Sequence, residues 1–300
     1  MDASVEFVKE LLPSIVNVHT TVPRAHPSAR ILGEERMGSG VVVDSSGLLL
    51  TVNYVVMGAS TIEVAPLKGR RSKAEVVAQD FEIGFALVRT KRQGLTPAPL
   101  DAKPPERGDP VIAIASPGVQ EVRVGGGVVT YLGEFEAYWE YMLDRGIVSS
   151  APNPGFGGGG LFTLSGRLLG LLHLNLNEIA RNSLAIPLEC YREHADELLR
   201  YGRVVSRPKR AWLGVYAHAL EDGVIIAGIV AGGPADRGGL REGDMIVSLN
   251  AEELSSRREL YTSLWKHAPG EKLTFEVMRD NAVRRLEITG GDRADFFKQI

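Results

Sequence analysis

In this 300-residue chain, the residues that are candidates for catalysis or ligand binding lie around a glycine-rich run near the middle. Gly155, Gly157 and Gly160 spell G-x-G-x-x-G, a pattern that binds phosphate groups when it follows a strand and opens a helix. The apolar residues 161–164 predict that a strand follows the run, so the pattern does not indicate a nucleotide site. No histidine or cysteine cluster has metal-ligand spacing, and we therefore expect neither a metal nor another cofactor.

Hydroxyl and imidazole groups on both sides of the run raise the question of nucleophilic catalysis. A serine hydrolase needs a hydroxyl, an imidazole that takes its proton and a carboxylate that orients the imidazole. Ser149 and Ser150 precede the run, and Ser165 and His173 follow it. The local pattern favours a turn for Ser165 and a packed strand position for His173, so a triad built from these residues is the weaker interpretation.

The elements that would position such groups are short strands. Apolar and β-branched runs broken by glycine, proline and aspartate extend from about residue 15 to residue 176, at a spacing typical of an antiparallel barrel or sandwich. Residues 187–201 have apolar positions at helical spacing, and a polar, basic stretch with Pro208 follows. We therefore place a domain boundary in the stretch 202–210.

Several segments match, in order, the landmarks of one protein family over residues 4–190. They are residues 37–44 with 47–53, 74–88, 128–133, 153–160 and 184–187. Taken together they resemble the trypsin-like serine proteases of the high-temperature-requirement family, HtrA or Deg. The resemblance implies a mainly β fold with a double six-stranded antiparallel β-barrel, and serine endopeptidase activity in protein quality control.

At the three positions of the family's catalytic triad, this chain has other residues. The histidine position is Tyr54, the carboxylate position is Gly84 and the nucleophile position is Gly157. A phenol with an ordinary pKa of about 10 is a poor general base at neutral pH, and glycine supplies neither a nucleophile nor a carboxylate. The resemblance also implies an oxyanion hole made by the N–H groups of Gly157 and Gly155. Without a triad, such a hole would not make a working protease.

Residues near the triad positions have plain structural interpretations. Asp80 and Glu82 are close to Gly84 in sequence, but no histidine stands at position 54 for them to orient, so we expect surface charges. We expect Tyr54 to fill the space of the missing imidazole, with ligand contact as the alternative.

An aromatic cluster stands in a segment that in the family is a regulatory, substrate-facing loop. It consists of Tyr138, Trp139 and Tyr141. Structural packing and peptide contact both remain open for these side chains.

The last 90 residues or so resemble a PDZ domain, a small β-sandwich with two helices. Residues 212–215 look like its carboxylate-binding loop, and residues 233–246 carry the strongest local signature. The resemblance implies that the loop's N–H groups receive a peptide's C-terminal carboxylate while the peptide adds as a strand to the sheet edge. The predicted peptide-binding residues are Trp212, Leu213, Gly214, Val215, Leu260 and Leu264. A role in the core alone is the alternative.

Charge and hydropathy narrow the class of partner. The formal net charge of −3 argues against a nucleic-acid surface, and no apolar run approaches the roughly 18 residues of a membrane span. Residues 1–12 lack the apolar core of a signal peptide. We therefore expect a cytoplasmic protein as written, or an extracytoplasmic one if a leader or anchor has been removed. The only cysteine, Cys190, cannot form an intramolecular disulfide.

Together, these observations predict the domain organisation of the chain. It consists of a trypsin-like domain at 1–190 with barrels at about 1–100 and 101–190, a helical and basic linker at 191–209, a PDZ domain at 210–290 and a tail at 291–300.

The function that we predict is binding of exposed or C-terminal peptide segments, or of unfolded proteins, by a catalytically inactive HtrA-like protein that acts as scaffold, adaptor or chaperone. The alternatives are an active endopeptidase with an altered site and a structural subunit in a complex with an active relative. The family resemblance also implies a homotrimer, with a mixed oligomer as the alternative.

Overall fold

The structure, a computed structural model, describes residues 8–153, 155, 157–176, 181–221 and 223–298. Two units are distinguished by their internal contacts. The first consists of Met1–Phe135 and Leu143–Val205, and the second of Glu136–Met142 and Ser206–Ile300. The short segment Glu136–Met142 therefore belongs with the C-terminal part of the chain, although first-unit residues flank it in sequence.

The first unit contains two closed antiparallel barrels. The first barrel has the order β1-β2-β3-β6-β5-β4. Its strands are β1 (Ile15–Thr21), β2 (Glu35–Val42), β3 (Leu48–Val52), β4 (Thr61–Pro66), β5 (Ser72–Asp80) and β6 (Phe85–Thr90). The tight β2–β3 turn requires glycine, because Gly47 has a φ of +92° and a Cβ there would overlap the carbonyl oxygen of Thr90.

The second barrel has the order β10-β11-β12-β9-β8-β7. Its strands are β7 (Pro110–Gly118), β8 (Glu121–Ala137), β9 (Tyr141–Ser149), β10 (Gly160–Thr163), β11 (Leu168–Leu176) and β12 (Asn182–Pro187). The predicted pair of six-stranded barrels is thereby confirmed. Two buried bonds join the barrels: the Asn17 amide donates to the Ser116 carbonyl at 3.0 Å, and the Ser116 N–H donates to Ser39 Oγ at 2.8 Å.

The helices are short. Those whose two ends lie within the described residues are, in the first unit, α1 (Pro27–Leu32), α2 (Asn53–Val56), α3 (Leu188–Arg192) and α4 (Ala195–Tyr201), and in the second unit α5 (Pro234–Arg237), α6 (Arg257–Leu264) and α7 (Arg293–Lys298). A 3-10 turn covers Leu12–Ser14. The helical pattern over 187–201 thus becomes two helices, because His194 leaves helical geometry with a φ of −126°.

The second unit is built on one sheet with the order β13-β14-β15-β17-β18, and β16 pairs with β15. Its strands are β13 (Val215–Leu220), β14 (Gly223–Ile229), β15 (Met245–Leu249), β16 (Glu252–Glu253), β17 (Lys272–Arg279) and β18 (Ala282–Thr289). Leu273, Phe275 and Val277 alternate into the core, as their spacing predicts. The order leaves β13 at one end of the sheet.

A buried ion pair explains part of the signature at residues 233–246, which contains Gly243 and Asp244. The Asp244 carboxylate is fully buried and receives two bonds of 2.6 Å from the Arg279 guanidinium. It also accepts the Arg241 N–H at 2.8 Å. The aspartate therefore ties the loop before β15 to the end of β17.

We expect Asp244→Ala to lower the free energy of unfolding of the second unit by about 3 kcal/mol, because it leaves a largely buried guanidinium without its carboxylate partner. Urea unfolding followed by tryptophan fluorescence measures this, since all three tryptophans lie in the second unit. Lys272→Ala, which removes an exposed ion pair on the same sheet, is the control and should change little. Equal effects of the two variants would contradict the interpretation.

Candidate functional site

The structure brings together, in the first unit, the three positions that the family resemblance assigns to a catalytic triad. Tyr54 lies on the single turn α2, directly after β3. Its hydroxyl donates to the His173 carbonyl at 3.0 Å and accepts the N–H of Gly157. The carbonyl of Gly84 accepts the Asn53 N–H at 2.8 Å, which holds the β5–β6 turn against α2.

Tyr54 occupies the space that a nucleophile would need. A Cβ built on Gly157 would overlap the Tyr54 hydroxyl and lie 2.9 Å from the His173 carbonyl oxygen. Real Cβ atoms do not make such close contacts. A side chain at position 157 and the tyrosine in its present position therefore exclude each other.

The phenol itself does not replace the imidazole as a base. Burial raises the pKa of Tyr54 to about 12, although the N–H of Gly157 acts in the opposite direction. The hydroxyl is therefore protonated across the physiological pH range and serves as a hydrogen-bond donor.

The Gly84 position is shaped by its backbone. Gly84 has a φ of +95°, and its N–H donates to the Asp80 carbonyl at 2.9 Å. A restored aspartate at this position would be strained. The expectation that Asp80 is a surface charge is wrong: its side chain is buried, and Oδ1 accepts the N–H groups of Glu82 and Ile83 at 3.0 Å each. Asp80 closes the β5–β6 turn.

The two N–H groups expected to form an oxyanion hole already have acceptors in this protein. Gly155 donates to Asn153 Oδ1 at 3.2 Å, and Gly157 donates to Tyr54. Pro154 and Phe156 of the same run lie outside the described residues. A substrate carbonyl would have to replace both acceptors before it could use this pair of donors.

The other hydroxyls near the run form bonds of their own. The partners are Ser183 Oγ for Ser149 at 3.3 Å, the Val128 N–H for Ser150 at 3.0 Å and Thr163 Oγ1 for Ser165 at 2.9 Å. His173 is buried, and burial lowers its pKa to about 3, so its imidazole is neutral at physiological pH. Its ring centroid lies 5.7 Å from that of Tyr54.

In the second unit, the predicted carboxylate-binding loop holds a carboxylate from the chain itself. Glu140 Oε1 accepts the N–H groups of Gly214 at 2.6 Å and Val215 at 2.8 Å, and Oε2 accepts that of Leu213 at 3.0 Å. Gly214 has a φ of +81°, a backbone conformation that favours glycine. Three consecutive backbone donors thus converge on one anion.

The carboxylate of Glu140 is buried and compensated. Only 2% of the residue is exposed. Burial raises the pKa of Glu140, whereas the three N–H groups and the charge of Arg293 act in the opposite direction. The Arg293 guanidinium also donates to the Glu140 carbonyl at 3.2 Å.

The residues before Glu140 contact both β13 and α6. The Ala217 N–H of β13 donates to the Tyr138 carbonyl at 2.6 Å, and the Tyr138 ring lies 5.2 Å from that of His218. From α6, the Tyr261 hydroxyl donates to the Ala137 carbonyl and accepts the Glu140 N–H, both at 2.9 Å. The segment therefore lies between the edge strand and the helix.

The side chains that sequence reasoning assigned to peptide binding are inside the second unit. Leu213, Val215, Leu260 and Leu264 belong to one hydrophobic core. Trp212 packs against Phe296 and Phe297, with ring centroids at 4.9 Å and 5.6 Å. Their contact with a peptide stays a prediction.

We call the space between β13 and α6 the PDZ groove. Four residues in and around it were not predicted from the sequence: Glu140, Arg257, Tyr261 and Arg293. The signal that could have found the first is a single acid enclosed by the aromatic residues 138, 139 and 141.

Comparison with known proteins gives a match for each of the two units. Residues 38–171 match the family model of the trypsin-like peptidase domain, and residues 211–289 match that of the PDZ domain. A probable periplasmic serine endoprotease, DegP-like, of Ectopseudomonas mendocina (strain ymp) is 29% identical over 95% of this chain and 61% of its own length. The serine endoprotease DegS of Haemophilus influenzae is 28% identical over 92% of this chain and 84% of its own length. The solved structure described as HtrA-type protease AlgW with tripeptide matches with a TM-score of 0.57 and 26% identity, covering 97% of this chain and 98% of the other.

The chain has a trypsin-like peptidase domain and a PDZ domain and is similar to HtrA-type proteases. It spans about three fifths of the DegP-like relative, so the activity and partners of such a whole protein are not carried over to it directly. Among the residues that the structure describes, this chain has no group of three or more His, Cys, Asp and Glu side chains arranged to hold a metal ion. The same described ranges contain no helix that is long and apolar enough to cross a membrane.

We expect Gly157→Ser to lower the free energy of unfolding of the first unit by about 1–3 kcal/mol, because the new Cβ collides with the Tyr54 hydroxyl. In a Tyr54→Ala background the same change should cost at least ~1 kcal/mol less. Calorimetry on the four proteins of this double-mutant cycle measures the coupling.

The matched control for this cycle is Gly126→Ser, because a Cβ at Gly126 meets no atom within 4 Å. It should leave the melting temperature close to that of the unmodified protein. Additive effects of the Tyr54 and Gly157 changes would show that the two positions do not compete for space.

Proposed function

We propose that this HtrA-like protein binds peptides by their carboxyl termini through its PDZ unit and does not hydrolyse them. The observation that carries the proposal is the convergence of three consecutive backbone N–H groups, from Leu213 to Val215, on one carboxylate. Backbone donors of this kind recognise a carboxylate whatever side chains surround it. The loop is therefore suited to the terminal carboxylate of a peptide.

The sheet beside the loop supports strand addition by a peptide. β13 is at the edge of its sheet, and its Ala217 N–H already donates to a backbone carbonyl outside the sheet, that of Tyr138. A peptide that adds to an edge strand uses the same kind of donor, and side-chain pockets then give specificity. Carboxylate capture and strand pairing together define a C-terminal peptide site.

The first unit supports the absence of hydrolysis. Each of the three triad positions lacks the functional group of its family, and the Tyr54 hydroxyl fills the volume next to Gly157. A change of one residue would not restore the nucleophile without displacing the tyrosine. Loss at three separate places argues for a protein whose role does not include cleavage.

Binding without cleavage fits a scaffold, an adaptor or a chaperone-like protein that holds exposed peptide segments. The homotrimer and the mixed complex with an active relative stay predictions. A location outside the cytoplasm is proposed by analogy with the DegP-like relative, which is named as periplasmic.

We expect the protein to cleave neither casein nor a labelled peptide library and to resist labelling by a serine-reactive phosphonate. The reason is that Tyr54, Gly84 and Gly157 supply no nucleophilic serine, no imidazole and no carboxylate. An active HtrA protease treated in parallel is the positive control. Turnover accompanied by phosphonate labelling would establish an active enzyme and overturn this half of the proposal.

We expect peptides with a free C-terminal carboxylate to bind at least about tenfold more tightly than the same peptides with a C-terminal amide. A charge-assisted bond to backbone donors is about twice as strong as a neutral one, and several act on one carboxylate here. Fluorescence polarisation with matched acid and amide peptides from a C-terminal library measures the ratio. Equal affinities for acids and amides would remove the loop from the binding mechanism.

A further inference from the structure

The segment Glu136–Glu140 has the contacts of a bound peptide. The Glu140 carboxylate occupies the three donors of the loop, as a peptide C-terminus would. Tyr138 lies two residues before Glu140, and its carbonyl accepts the N–H of Ala217, which lies two residues after Val215. The bond from Ala217 is of the backbone kind that a strand added to β13 makes, and the side chain of Glu140 brings a carboxylate to the loop at the start of the same strand.

The opposite wall of the groove also holds this segment. Arg257, the first residue of α6, makes an ion pair of 2.8 Å with Glu136. One turn further along the helix, Tyr261 bonds the backbone of Ala137 and Glu140. Five consecutive residues therefore contact the carboxylate-binding loop, the edge strand β13 and the helix α6.

The loop N–H groups that a peptide carboxylate would need already donate to Glu140. Leu213, Gly214 and Val215 each donate to Glu140, at distances between 2.6 and 3.0 Å. Glu140 is also almost inaccessible to solvent. Two carboxylates cannot share these donors, because a second anion at hydrogen-bond distance would be repelled by the first.

We propose that Glu136–Glu140 is an intramolecular ligand of the PDZ groove, and that peptides bind only when Glu140 leaves the loop. This inference rests on the proposed function, because it concerns the same site. It also defines the ligand class: a peptide with a free terminal carboxylate, an aromatic residue two positions before its end and an acid four positions before its end. The aromatic residue would meet Tyr216 and His218, and the acid would meet Arg257, as Tyr138 and Glu136 do.

The size of the effect follows from competition. If an internal ligand fills the groove in about 99 of 100 molecules, the apparent Kd of a peptide rises about 100-fold. Removing the Glu140 carboxylate should therefore increase peptide affinity, although it removes an interaction from the free protein.

The test uses the full chain and a synthetic peptide with the sequence of residues 135–139 followed by a C-terminal valine, together with its amidated form. Glu140→Gly removes the side chain at a residue whose φ of +54° suits glycine. Glu140→Gln keeps the shape but removes the charge, and serves if the glycine variant does not fold. Glu287→Gln, an exposed acid of the same unit, is the matched control.

We expect at least about tenfold tighter binding of the acid peptide to Glu140→Gly, a smaller gain for Glu140→Gln and no change for Glu287→Gln. The amidated peptide should stay the weaker ligand of every variant, because it lacks the anion that the loop donors bind. Unchanged affinity of both Glu140 variants for the acid peptide, with binding to the unmodified protein intact, would overturn the inference while leaving the proposed function standing.

A second readout separates the two proposals without peptide. Backbone amide NMR signals of Gly214 and Val215 should move in Glu140→Gly, and acetate should move them again in that variant but not in the unmodified protein. If these shifts occur and no peptide binds to any variant, the intramolecular ligand is supported and the proposed function fails. If the signals stay in place in Glu140→Gly, the intramolecular ligand is rejected.

Discussion

The organisation of the second unit depends on one interaction, a buried carboxylate held by consecutive backbone N–H groups. An anion inside a protein is stable only where donors or an opposite charge compensate for lost water. Glu140 has both, through the loop 213–215 and Arg293. Because Glu140 is fixed there, the residues before it must run between β13 and α6. The N–H groups of residues 213–215 thus fix the position of the segment Glu136–Glu140.

In the first unit, the corresponding constraint is a steric one between Tyr54 and position 157. The Tyr54 hydroxyl and a side chain at Gly157 compete for one volume. The tyrosine satisfies the His173 carbonyl and the Gly157 N–H, so the substituted site is internally bonded. Tyr54, Gly84 and Gly157 of the first unit supply no imidazole, no carboxylate and no serine hydroxyl, whereas the loop 213–215 of the second unit presents three backbone donors to a carboxylate.

Much of this could be predicted from the sequence, because strands and turns leave local signals. The spacing of short apolar runs predicted an antiparallel barrel or sandwich, and the resemblance to HtrA proteases implied the pair of barrels. The alternation of Leu273, Phe275 and Val277 predicted β17. Asp80 was misjudged, because an aspartate that bonds the next N–H groups looks the same in sequence as one on the surface. Glu140 was missed since its partners are backbone atoms 73 to 75 residues away, and N–H groups have no side-chain signature.

The most direct test is a crystal structure of the full chain with a saturating peptide that has a free C-terminal carboxylate. We predict that the peptide carboxylate lies within hydrogen-bond distance of the N–H groups of Leu213, Gly214 and Val215, and that Glu140 has left them. A peptide bound elsewhere, with the Glu140 oxygens still on these three donors, would contradict this mechanism.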